Sequence, residues 1–110
     1  MKVSELTLQT ICSQIRENPE ELSAAEKELI EAYKDAAISY IKTRCGIDGV
    51  EVPDEKGRML DNYPDIAVAV LVLISDMYDN RQTTVDSKNP NKVVENIIGQ
   101  HDFNLVGGAG

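Results

Sequence analysis

Apolar residues recur with helical spacing in four stretches of this 110-residue chain, and they alternate as strands nowhere convincingly. Leu8, Ile11, Cys12 and Ile15 form one stripe, which Thr7 can cap and Asn18-Pro19 can end. Ser23 and Glu26 make a capping box, in which each side chain satisfies a backbone N–H that the helix start leaves unpaired. Behind it Leu29, Ile30, Tyr33, Ala36, Ala37, Tyr40 and Ile41 fall at i, i+3, i+4 and i+7. Lys42 and Arg44 suit the negative end of the helix dipole, and Gly46 suits a left-handed terminus. This second helix should run for about 22 residues, or roughly 33 Å. It is long for so small a chain and should act as a spine, extending past the core.

Gly46 to Asn62 is rich in Gly, Pro and Asp and has no period, which predicts an exposed loop. Val50-Glu51-Val52 is its only hint of strand. Pro64 suits the first helical position and Asp65 the first turn of a third helix. Its run Ile66–Ile74 is apolar on every side, so this helix should be the core, surrounded by the others. Burial of one such side chain contributes about 1.5–3 kcal/mol before entropy is subtracted. Gln82–Lys88 reads as a polar turn. Asn89 and Pro90 can then open a short fourth helix, with Val93, Val94, Ile97 and Ile98 inward and Gly99 at its end. Residues 99–110 are left as an extended C-terminal tail. The expected fold is all-α: one domain over 1–110, a bundle of about four helices around a buried third one.

The run Ile66–Ile74 is far short of the roughly 20 apolar residues that span a bilayer, and no basic segment precedes an apolar stretch at the N-terminus. Neither a membrane span nor a signal peptide is expected. The net charge of −8 disfavours binding to phosphate backbones, which calls for a basic patch. Cys12 and Cys45 match no metal or redox spacing, so free thiols in a reducing, intracellular setting are expected.

No catalytic constellation is legible. His101 is the sole histidine, and any triad or Cys-His pair would depend on it. Asp48, Asp54 and Glu55, and the segment Asp86–Asn91, lack the order of a calcium loop. No glycine-rich phosphate loop precedes a helix. The expectation is a binding or structural protein without catalytic residues, metal or cofactor. Asp76 and Asp79 stand out, because acids at a helix C-terminus oppose the dipole and Arg81 is placed to offset them. Either they mark a contact, or the helix ends before them.

Tyr63-Pro64-Asp65, Ala67, the Val-Leu-Val-Leu run through Leu71, and Asp76-Met-Tyr78-Asp-Asn80-Arg81 resemble the signature of phage head–tail connector proteins, the small adaptors of tailed phages and prophages. Met1–Leu8, Tyr40-Ile41-Lys42 and Asn91–Ile98 are similar to further segments of that family. The loop 46–62 is longer than the linker expected there, and Gln14–Asn18 lacks the acidic turn that often follows its first helix.

The resemblance implies a non-enzymatic virion protein, present in the host cytoplasm before assembly. It implies a homo-oligomeric ring beneath the portal protein that extends the DNA channel and meets a stopper or tail protein. Double-stranded DNA would pass through without specific binding. Phe103, Leu105 and Val106, outside any helical pattern, are candidates for docking on the portal; the alternative is that they fold back over their own core. A second reading of the whole chain is a small acidic helical module that binds a protein partner, of antitoxin or anti-repressor type.

Overall fold

The computed structural model describes residues 1–80 and 92–103. Arg81, the segment Gln82–Lys88 expected to be a turn, Asn89, Pro90, Leu105 and Val106 lie outside the described residues. The described residues form four α-helices: α1 (Leu8–Ile15), α2 (Ala24–Cys45), α3 (Pro64–Asp79) and α4 (Lys92–Gln100), with single 3-10 turns at Val3–Glu5, Pro19–Glu21 and Leu60–Asn62. The protein is all-α, and among the described residues the only β pairing is one isolated bridge, Gly49 with Met59. No described helix is long and apolar enough to cross a membrane.

The helix ends follow the local chemistry. Thr7 accepts from the Thr10 N–H at 3.2 Å. At the head of α2 the Glu26 N–H donates to Ser23 Oγ at 3.1 Å, and the Ser23 N–H donates to Glu26 Oε1 at 3.3 Å. Two of the four N–H groups orphaned at that terminus are thereby satisfied. Gly46 closes α2 in the left-handed region at φ 72°, which a side chain would strain. Residues 24–29 are all exposed and Ile30 is the first fully buried position of α2, so its opening turns extend past the core.

The centre of the domain is α3, which packs against α1, α2 and α4. Its Ile66, Ala67, Ala69, Val70, Ile74 and Tyr78 are buried, and they meet Ile30, Ala37, Ile41 and Cys45 of α2 in one core. The helix is not covered on every side. Val68 is 48% exposed, and Leu71, Val72 and Leu73 are half-buried. An apolar run this dense therefore serves two surfaces, one of them facing outward. In α4, Val94 and Ile98 point in, Ile97 is half-buried and Val93 is 52% exposed. Gly99 lies inside α4, which runs on to Gln100.

The segment 46–62 is more ordered than its composition suggests. Asp54 ties it into a knot: its carboxylate accepts from the N–H groups of Asp48 at 3.0 Å and of Lys56 and Arg58 at 2.9 Å. Leu60 and Asp61 donate back to the carbonyls of Gly49 and Val50 at 2.8 and 3.2 Å. Gly49 is required, because a Cβ there would lie 2.2 Å from the Val52 carbonyl oxygen. The segment also supplies Ile47 and Leu60 to the core.

Candidate functional site

Among the described residues, three groups join parts of the chain that are distant in sequence. At the N-terminus, Val3 and Leu6 are buried. There the Ser4 N–H donates to Asp61 Oδ1 at 3.0 Å, the Ser4 hydroxyl donates to the second oxygen, and Lys34 Nζ donates to the Leu6 carbonyl at 2.7 Å. Between α2 and α4, the Arg44 guanidinium donates to both oxygens of Glu95 at 2.9 and 3.1 Å, and also to the Tyr40 hydroxyl. The Glu95 carboxylate holds Arg44 firmly in its charged form, the hydrogen bond outweighing the opposing effect of partial burial.

The third group gathers the start of α3, the loop and the residues beyond α4. His101 Nε2 lies 2.8 and 2.9 Å from the two oxygens of Asp65. The Tyr63 ring lies 4.5 Å from the imidazole and 6.2 Å from the Phe103 ring, tilted against both. The Arg58 guanidinium sits 4.0 Å above Phe103, within cation–π range. Cys45 is fully buried, and burial, with Asp102 and then Asp65 adding to it, pushes its thiol up to about 11. Cys12 is raised too, first by burial and then by Glu17, and both cysteines are free.

The residues singled out from the sequence fall into two sets. Tyr63, Pro64 and Ala67 form the entry to α3: Tyr63 in the aromatic group just described, Pro64 at the first helical position, Ala67 fully buried. Tyr78 is 4% exposed and Leu71 is half-buried against the core. Helix α3 continues through Asp79, so Asp76 and Asp79 do lie in its last turn. Asn80 has a clear local role, since its side-chain amide donates to the Asp76 carbonyl at 2.8 Å and caps a helix end that Asp76 and Asp79 disfavour. Phe103 lies on the domain, while Leu105, Val106 and Arg81 are outside the described residues. Sequence reasoning passed over Arg58, Asp65 and His101 as a group. Their separation of 36 positions between Asp65 and His101 carries no periodic signal.

Among the described residues, two uncharged surfaces are exposed. Along α2, Ala25, Leu29, Ala32, Ala36 and Ser39 fall at i, i+4, i+7, i+11 and i+14, all exposed and none charged, on the side opposite Ile30, Ala37 and Ile41. On α3 the outward residue is Val68, beside Leu71 and Val72. A depression on the loop is lined by Asp48, Gly49, Val52, Pro53, Asp54 and Glu55. The Asp54 carboxylate there is already engaged by three backbone N–H groups. Among the described residues no group of three or more His, Cys, Asp or Glu could hold a metal ion.

A scan of protein-family models found no match, and a search of curated proteins found none. Among solved structures, the fold is similar to that of the crystal structure of bacteriophage HK97 gp6. The TM-score is 0.64 at 21% identity, covering 90% of this chain and 94% of that chain. At that identity the likeness establishes the fold.

Proposed function

We propose that this protein is a structural head–tail connector of a tailed phage or prophage. In this reading it forms a homo-oligomeric ring beneath the portal, extends the DNA channel, and offers its far side to a stopper or tail protein. The carrying observation is the fold, which matches a bacteriophage protein over nearly the full length of both chains. It coincides with the connector-like residues Tyr63, Pro64, Ala67, Leu71, Tyr78 and Asn80, which build the entry, core face and cap of α3. No catalytic role is assigned to any residue.

The open surfaces support assembly. A ring is closed by heterologous contacts, in which two different patches of one subunit meet those of its neighbours. The uncharged outer face of α2 and the Val68 face of α3 are two such patches. The net charge of −8 gives a channel wall that repels duplex DNA weakly and lets it slide without specific binding. C-terminal Phe103, Leu105 and Val106 are the residues we assign to portal docking.

An antibody against the protein tests the reading on filled heads of the parent phage. Gold label at a single vertex of each head is expected. Label spread over the shell, or absent from virions while the protein stays in the lysate, would sink the connector role.

A further inference from the structure

The first residues after α4 are fastened to the domain by contacts that a docking segment would have to give up. The His101 N–H donates to the Ile98 carbonyl at 3.0 Å and ends the helix, which aims the imidazole at Asp65. His101 then meets both carboxylate oxygens and is only 17% exposed. His101 follows the last turn of α4, and Asp65 lies in the first turn of α3, so the contact joins the end of one helix to the start of another. Two residues on, Phe103 lies between Arg58 and Tyr63. The backbone that carries the seat is itself held. The Arg58 backbone is held at both its N–H and its carbonyl by Asp54, and Tyr63 is fixed as the residue before the Pro64 that starts α3.

We propose that this is an autoinhibitory contact. The free subunit keeps Phe103 on its own Arg58–Tyr63 seat, with His101–Asp65 as the lock, and a partner gains Phe103 only by drawing it off. The inference rests on the reading of the C-terminal segment as the docking element. It names how that element is restrained. A ring held on Tyr63 and Arg58 cannot at the same time enter a partner's groove, so the apparent affinity is the intrinsic one reduced to the fraction of subunits in which the seat is empty. Arg58 and His101 thereby oppose docking, although they belong to the same contact network as the docking residue.

Phe103 is the sole phenylalanine of the chain, which gives the test a clean probe. Protein labelled with 4-fluorophenylalanine carries one fluorine resonance. In the native protein it should stand away from its position in urea, and Arg58→Ala and His101→Ala should each move it towards that position while far-UV circular dichroism is kept. On portal-bearing heads of the parent phage, the same two variants should bind about tenfold more tightly than the native chain. Phe103→Ala should bind more weakly. A native resonance already at its urea position overturns the proposal. So does a freed resonance in either variant without a gain in binding. A chain ending at Gln100 separates the two levels. If it binds as well as the full chain, the docking role of the segment fails, whatever the fluorine signal says of the lock.

Discussion

Arg44 in the last turn of α2 and Glu95 in α4, 51 positions apart, face each other as a two-pronged ion pair at 2.9 and 3.1 Å. Their side chains are 39% and 29% exposed, so solvent screens the attraction. Replacing Glu95 with Gln should lower stability by about 0.2–1 kcal/mol. The loss should shrink between about 0.1 M and about 1 M salt. Thermal melts of native and variant protein at the two salt concentrations check this. A larger loss that is indifferent to salt would mean that Glu95 acts through packing.

The two faces of α3 should respond oppositely to substitution. Ile74→Ala opens a cavity at a fully buried position and should cost about 2–5 kcal/mol in urea unfolding. Val68→Asp, at a 48% exposed position, should change stability by about 0.5 kcal/mol or less. The same change at Val68 should impair assembly if that face meets a neighbour. A severe loss of stability from Val68→Asp would place the residue in the core instead.

The loop should loosen in acid. The N–H of Arg58, then those of Asp48 and Lys56, hold the Asp54 carboxyl below the usual aspartate value. A carboxyl with a depressed folded value stabilises the loop at all pH above the ordinary aspartate range, about 4. That support is lost as pH falls through the lower, folded value. Amide signals of Asp48, Lys56 and Arg58 should therefore stay dispersed at about pH 6 and collapse towards coil positions well below pH 4, before α2 unfolds. Loop and helix signals disappearing together would show that Asp54 does not govern a local step.

Both thiols should be silent in the folded protein. Cys12 and Cys45 are fully buried and their ionisation is pushed up, Cys45 to about 11. At about pH 8 a disulfide reagent should react slowly with native protein and promptly with both thiols once denaturant is added. Fast reaction of one thiol without denaturant would show that α1 or α2 opens locally.

Legibility from sequence divided along a physical line. The ends of α2 were readable because Ser23, Glu26 and Gly46 act within one turn of the backbone they cap. The core face of α3 was readable only in part, since an apolar run with no polar side hides which residues face out; Val68 and Ile74 differ by packing, not by type. Gly99 suggested a helix end, but the helix runs one residue further and glycine is tolerated within it. The knot of Asp54 and the seat of Phe103 were not legible. They depend on backbone donors and rings brought together across turns, for which spacing gives no signal.

The connector reading is tested most directly by electron microscopy of the protein mixed with the portal of its parent phage. A closed ring of copies is expected, coaxial with the portal and continuing its channel, with α2 and the Val68 face of α3 at the contacts between subunits. A portal that stays bare at saturating protein, or density showing only isolated dimers, would contradict it.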